Sequence, residues 1–546
     1  AARDRQGNIR YTTREMQAVE QRMLEAAQGL ANDKVHAVTE RHQHQSERVA
    51  SLSADQRQAF DYIMQPGNLA AVQGRAGTGK SFMLGAAREA WQAEGYRVIG
   101  AALAGKAAEG LQESAGIESR TLHAWEKAWE TGRDTLTRKD VLVIDEAGML
   151  GSRQLGRVIE RAHEAGAKVV LVGDDRQLQP IDAGAAFRAI KERVGQVEMA
   201  DIRRQKVEWQ KEATNDLFEG RVDKALAAYA ERGHIHDHQT KDEARRAMVD
   251  AWDAHRQAAP ADKQIMLALE RKDVHELNEL ARERMRGAGA LGRDVHIETE
   301  NGQRDFAVGD RVYFLRNDYR LGQSERSREP VVTNGTLGTV ERMKDDEMRV
   351  RLDDGRLLTF DPQQYNHLDH GYAGTVHKGQ GVTVDRAHVL AGEYFNHEAV
   401  YVAMSRHQGE RGQADLHWSH DVFKDERAMV DALSRERPQG IVADFNQAAE
   451  DNRKLAAEIA KTKAPEPAKR EISPEDRARF REQGQEGLKQ LRRDVIKQLG
   501  KENVQQLHAD RAARLEQQKQ QELQKQLDRQ PQLQLKIERD GWERGR

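Results

Sequence analysis

Cysteine is absent from the chain, and aromatic residues make up only 5% of its 546 positions. Without thiols, disulfides and thiolate metal sites are excluded, and a reducing cytosol is the expected compartment. Few aromatics beside 32% charged residues imply aliphatic cores and some solvated helix. A dominant charge is missing too: 87 basic residues face 90 acidic ones, so a grip on nucleic acid has to come from local grooves. No apolar run approaches the length of a membrane span and no secretory signal is visible, so a cytoplasmic chain is expected. The length leaves room for about two to four domains. The opening Ala1-Ala2-Arg3 carries no methionine and reads as a cut from something longer.

What the chain does have is a phosphate-binding loop. Gly74-Arg75-Ala76-Gly77-Thr78-Gly79-Lys80-Ser81 matches G-x-x-x-x-G-K-[ST], with a short apolar strand at 69–72 leading in and a helical pattern at 82–87 leading out. Glycines let the backbone approach phosphates, the N–H groups at the helix start face the anion, Lys80 reaches the terminal phosphates and Ser81 ligates magnesium. A second motif supports the first. Val141-Leu142-Val143-Ile144 reads as a buried parallel strand delivering Asp145 and Glu146 at its C-terminal edge, where open α/β sheets bind ligands. Asp145 is expected to hold magnesium, and Glu146 to orient and deprotonate the attacking water. Together the two motifs predict ATP hydrolysis.

Val169 to Asp174 repeats the strand-then-acid design, and Gln177 shortly after it suits a γ-phosphate sensor; an ordinary strand-to-turn transition is the alternative. Arg204 and Arg406 lie in otherwise apolar surroundings and could each serve as an arginine finger, against the plainer reading of solvated surface charges. Between them, Tyr372 to Thr383 gathers Thr375, His377, Lys378 and Gln380 among small residues, a composition suited to a polyanion backbone. Thr121 and His123 form a similar cluster ahead of Trp125 and Trp129, whose helical spacing favours core packing over base stacking.

Taken in order, Gln56, Gly74 to Ser81, Asp145-Glu146, Gly173 to Leu178, Arg204-Gln205, Tyr372 to Gly381 and Tyr401 to Arg406 resemble the motifs of superfamily 1 helicases of the RecD-like branch, over roughly residues 50 to 420. The stretches at 11–16, 143–150 and 375–381 look more closely like the helicase part of Ti-plasmid-type conjugative transfer relaxases. That resemblance implies a motor moving 5′ to 3′ on single-stranded DNA, driven by ATP and Mg2+, in plasmid transfer. It also implies that Gln56 reads the adenine, although Ser53-x-x-Gln56 is equally a helix capping box. Relatives carry a nicking domain ahead of the motor; only some fifty residues precede it here, and His42-Gln43-His44 is not a metal site, so nicking is not expected of this chain.

The expected fold is α/β: two RecA-like P-loop motor domains with a small inserted SH3-like β-barrel and helical N- and C-terminal extensions. Its bounds are 1–48 for the N-terminal helical segment, opened by a Thr12-x-x-Glu15 capping box, and 49–198 for the first motor domain. The second motor domain takes 199–300 and 367–445, around a barrel at 301–366 whose turns include Asn334-Gly335 and Asp354-Gly355. Asp310 and Arg311 read as turn residues. Residues 446–546 form a Pro-containing linker and a helical tail with a thin leucine stripe, expected to meet other conjugative transfer proteins. The region between Thr121 and Asp145 has room for one helix and a short turn, hardly for a strand-separating hairpin. Two other readings stay open: a single-strand-binding assembly platform with a nucleotide-ordering site, and a stand-alone RecD-like repair helicase.

Overall fold

In the computed structural model, residues 13–178, 185–321, 331–344 and 347–436 are described, together with the backbone of two short paired strands, Ala2–Arg3 and Ile9–Arg10. The linker, tail helix and leucine stripe expected after 446 lie outside the described residues. The fold is α/β, with two separate parallel sheets and an antiparallel sheet inserted in the chain within the second of them.

The first parallel sheet has six strands in the order Glu118–Thr121, Arg97–Ala102, Asp140–Ile144, Lys168–Gly173, Leu69–Gly74 and Val197–Met199. Every residue of Leu69–Gly74, Asp140–Ile144 and Lys168–Gly173 is buried, as strands covered by helices on both faces must be. Lys168 is tolerated there because its ammonium donates to the carbonyls of Gln65 and Gly67 at 2.7 and 2.6 Å, while burial lowers it to about 7. The N-terminal helix Arg14–Asn32 is capped by Thr13, whose Oγ1 accepts from the Met16 N–H at 3.1 Å. The expected cap was Thr12, one residue earlier and outside the described residues; Thr13 supplies the same hydroxyl. This helix buries Met23, Ala27 and Leu30 in the same core as Ile144 and Leu171, packing along helix Ser152–Ala165. Trp125 and Trp129 belong to that core as well, with the Trp125 indole N–H on the Gly100 carbonyl at 2.7 Å.

The second parallel sheet runs Ala373–Thr375, Gln264–Ala268, Arg386–Leu390, Gln413–Ser419 and Ile235–His238. Between its neighbouring strands Gln264–Ala268 and Ala373–Thr375, the chain builds the hairpin Val295–Thr299 and Gly302–Phe306, then a five-stranded antiparallel sheet ending at Leu368–His370. Hairpin and sheet share a core of Ile297, Phe306, Val312, Phe314, Val350 and Phe360. The antiparallel strands thus begin before residue 301 and end after 366. The turn glycines Gly335 and Gly355 adopt φ of 107° and 90°. Asp310 does more than close a turn: it accepts from the Ala307 N–H at 2.7 Å, and it is fully buried against Arg282 at 3.1 Å and the Tyr372 hydroxyl at 2.7 Å.

Buried histidines make the second sheet sensitive to acid. Burial lowers His388 to about 3 and His407 to about 4, against about 6.5 in an unfolded chain. Their folded pKa values are depressed, so the stability they contribute is complete above pH ~6.5 and is lost as pH falls toward the folded values. Unfolding free energies from urea titrations should therefore drop between pH 7.5 and pH 5, by about 1.4 kcal/mol per pH unit below 6.5 for each histidine, and the midpoints with them. His388→Gln should flatten that slope; equal midpoints at both pH values would rule the effect out.

Candidate active site

The phosphate-binding loop joins strand Leu69–Gly74 to helix Lys80–Ala93. Gly77 and Gly79 take φ of 81° and 80°, and the space around them is closed to side chains. A Cβ on Gly77 would stand 2.6 Å from the Arg204 Cβ, and one on Gly79 2.5 Å from the Gln56 Nε2. Lys80 is folded back on its own loop, donating to the Gly74 carbonyl at 2.9 Å and the Arg75 carbonyl at 3.4 Å. Ala76 and Thr78 are buried within the loop, and Ser81 lies in the first turn of the helix. Gln56 both closes a capping box with Ser53 and donates from Nε2 to the Thr78 carbonyl at 3.0 Å, so its amide lies against the loop.

Asp145 and Glu146 follow the buried strand Asp140–Ile144. Asp145 Oδ1 accepts from the Glu146 N–H at 2.9 Å, and Glu146 adopts a left-handed φ of 52°. Burial and then the neighbouring Glu146 push the Asp145 carboxyl up to about 6, against the pull of Lys80. Two adjacent half-buried carboxylates at a strand end, with the Ser81 hydroxyl available in the first turn of the loop's helix, are the oxygen donors a divalent cation takes.

Strand Lys168–Gly173 ends at Asp174, which is buried and accepts four bonds. Its donors are Gln73 Nε2, Gln177 Nε2 and the Arg176 N–H at 3.0, 3.0 and 3.1 Å, and the Tyr401 hydroxyl at 2.9 Å. Gln177 is therefore held on Asp174. The Tyr401 oxygen also accepts from the Ala76 N–H at 2.8 Å, so one phenol from the second sheet's helix His397–Met404 bridges the loop and Asp174.

The two arginines share this cleft. The N–H groups of Arg203 and Arg204 donate to the Gly77 carbonyl, and Arg204 Nη1 donates to the Ser405 carbonyl at 2.9 Å. Arg406 is 2% exposed, with Nε on the Val402 carbonyl at 2.7 Å and Nη2 on Ser405 Oγ at 2.9 Å. Burial and then the Arg406 charge lower Arg204 to about 9; burial lowers Arg406 as well, and Glu146 opposes both shifts. Gln380, expected on DNA, donates from Nε2 to Glu146 Oε2 at 3.2 Å.

The other strand-binding candidates stand away from these contacts, in matching positions. Thr121 ends an edge strand of the first sheet and caps helix Leu122–Glu130, accepting from the Ala124 N–H at 3.3 Å. Thr375 ends an edge strand of the second sheet and caps the short helix Val376–Gly379, accepting from the Lys378 N–H at 3.3 Å. His123, His377 and Lys378 are exposed, and the Lys378 ammonium lies 3.9 Å from the Tyr313 ring centre. Sequence reasoning placed Asp174, Tyr401 and Arg75 inside motifs but gave none of them a role of its own. Arg75 pairs with Glu198 at 3.0 Å, donates to Asn215 at 3.0 Å and packs 4.1 Å from the Phe218 ring centre. A buried phenol that must find a partner was the one signal available for Tyr401.

Residues 51–240 match the AAA domain family, which defines this part of the chain as a P-loop domain. The chain is a homologue of the conjugal transfer protein TraA. It is 41% identical over 442 residues to that protein of Agrobacterium fabrum and 40% identical over 440 residues to the probable conjugal transfer protein TraA of Sinorhizobium fredii, in both cases across 80% of this chain and 39% of the relative. The chain thus spans about two fifths of the length of these curated relatives. It is also 26% identical over 348 residues to the ATP-dependent RecD2 DNA helicase of Deinococcus radiodurans, covering 60% of this chain and 44% of that protein. Among solved structures, a Bacteroides Pif1 helicase in complex with ADP-AlF3 and ssDNA aligns with 73% of this chain and 97% of its own, at 20% identity and a TM-score of 0.48. Among the described residues, no helix is long and apolar enough to cross a membrane.

Proposed function

We propose that the chain is an ATP-dependent DNA helicase and single-stranded DNA translocase, moving 5′ to 3′ as the motor part of a relaxase in conjugative plasmid transfer. Residues 49–198 then form the first RecA-like motor domain, and the described chain from 199 to 436 on either side of the antiparallel insert forms the second. The insert, with strands from Val295 to His370, is the SH3-like barrel. One observation carries the reading: Ala76, Glu146 and Asp174, at strand ends of the first sheet, meet Tyr401 and Gln380 from the second, and Arg204, on the connection between them, reaches the Ser405 carbonyl. A nucleotide site shared by two sheets can convert hydrolysis into their relative movement. The conjugative setting is supported by the identity to TraA proteins, and the polarity by the resemblance to RecD-like motors.

In this mechanism the adenine lies beside Gln56, and the glycine loop from Gly74 to Gly79 cradles the phosphates. Lys80 exchanges its carbonyl partners for phosphate oxygens. Magnesium, held by Ser81 and Asp145, would neutralise phosphate charge. Glu146 takes a proton from the attacking water, Gln177 senses the γ-phosphate, and Arg204 and Arg406 stabilise the charge that develops in the transition state. Thr121 and His123 hold the strand on one sheet edge, Thr375, His377 and Lys378 on the other.

The test is steady-state ATPase with and without single-stranded DNA, followed by strand displacement from duplexes with a 5′ or a 3′ tail. Strong stimulation and displacement from the 5′ tail alone are expected. Tight DNA binding without stimulation would instead identify a nucleotide-ordered clamp, and displacement from the 3′ tail would reverse the polarity.

A further inference from the structure

The contact between Gln380 and Glu146 joins residues 234 positions apart across the cleft. The other atom of the same amide, Gln380 Oε1, is buried and has no hydrogen-bond partner. Gln380 is also held firmly. A Cβ on Gly379 would stand 2.8 Å from Leu267 Cδ2, so the backbone before it is packed closely, and Gly381 after it takes φ of 77°. Opposite, Glu146 occupies a left-handed conformation, which a residue with a side chain adopts only where its surroundings impose it. Strain of this kind at a carboxylate is where functional positioning is found.

The chain leading to Gln380 is short and directional. Thr375 caps helix Val376–Gly379, which carries His377 and Lys378 on exposed positions, and Gln380 is the next residue. Segment 375–380 therefore spans from a half-buried edge-strand end, past two exposed side chains, to the Glu146 carboxylate.

We propose that Gln380 is a water-positioning residue through which DNA held at Thr375, His377 and Lys378 sets the hydrolytic geometry at Glu146. The inference rests on the motor reading above. A water between the two side chains has two hydrogens to donate. One passes to Glu146 as the water oxygen bonds to the γ-phosphorus and the bond from phosphorus to the ADP oxygen breaks. The other stays on the incoming oxygen and is held by Gln380 Oε1, which has the free acceptor for it. The Nε2 bond fixes the Glu146 carboxylate meanwhile. DNA that orders segment 375–380 orders both contacts, and so raises turnover without adding any binding energy for ATP.

Gln380→Ala and the near-isosteric Gln380→Met test this, with kcat, KM for ATP and the half-saturating concentration of a single-stranded oligonucleotide measured for each and for the wild type. At saturating DNA, kcat should fall about 10- to 100-fold, and the ratio of rates with and without DNA should fall toward one. KM and the DNA half-saturation should stay within about twofold. Unchanged kcat with weakened DNA half-saturation would overturn the proposal by making Gln380 an ordinary DNA contact. An equal fall with and without DNA would overturn it by leaving Gln380 as a support for Glu146 with no link to the strand. A wild type that DNA does not stimulate would remove the motor reading, and this inference with it.

Discussion

Arg406→Ala is expected to lower ATP turnover by about three to five orders of magnitude while the protein still binds ATP. The size of the effect follows from how the guanidinium is held. At 2% exposure it has given up its water, and its Nε and Nη2 are tied to Val402 and Ser405 of its own helix end, so its remaining donors are preset in direction. A preset, desolvated donor needs no reorganisation when charge develops on a transferring phosphoryl group, and contributes most in the transition state. Arg406→Lys keeps the charge, yet a lysine cannot make both tethers and reach outward as well, so it should recover little. Arg204→Ala should act in the same direction. Because Arg204 and Arg406 share one field and both meet Ser405, the double variant should cost less than the two single losses summed. Single-turnover hydrolysis at saturating ATP is the measurement, with thermal unfolding followed alongside. Arg406→Ala retaining more than about a tenth of wild-type turnover would remove it from the finger role.

Local patterns carried the parts of this structure that depend on a few consecutive residues. The glycine loop, the strand ending in Asp145-Glu146 and the strand ending at Asp174 each declare themselves by an apolar run followed by one chemical type, and each lies where that grammar puts it. Boundaries were less legible. The first helix starts at Thr13 because two adjacent threonines offer the same capping hydroxyl, and the antiparallel strands outrun their expected limits because Val295–Thr299 is a polar, half-exposed hairpin strand. Least legible were bonds across long separations. The Tyr401 hydroxyl meets the Ala76 N–H over 325 positions, and the Gln380 amide meets Glu146 over 234. Nothing in the composition of segment 375–381 distinguishes a side chain facing a polyanion from one facing a carboxylate, because an amide serves both. Only the relative placement of the two sheets decides it.

Glu146→Gln separates catalysis from binding at this site, and turnover should fall about two to four orders of magnitude. The substitution keeps shape and volume, and the backbone N–H that bonds to Asp145 Oδ1 is untouched. A side-chain amide can still meet Gln380, but it has no basic oxygen to accept the water's proton. Nucleotide affinity should hold or rise, since the acid pair raises the Asp145 carboxyl and removing one charge relieves it. Asp145→Asn should differ in kind, losing magnesium-dependent ATP binding along with turnover. A fluorescent ATP analogue distinguishes the two: Glu146→Gln should load and hold it, whereas Asp145→Asn should load poorly at the same magnesium concentration. With hydrolysis stalled and ATP bound, Glu146→Gln should also show the DNA affinity of the ATP state alone, isolating the grip that precedes each step. Turnover within about tenfold of wild type would mean that another group takes the proton, and the left-handed backbone at Glu146 would then need a different cause.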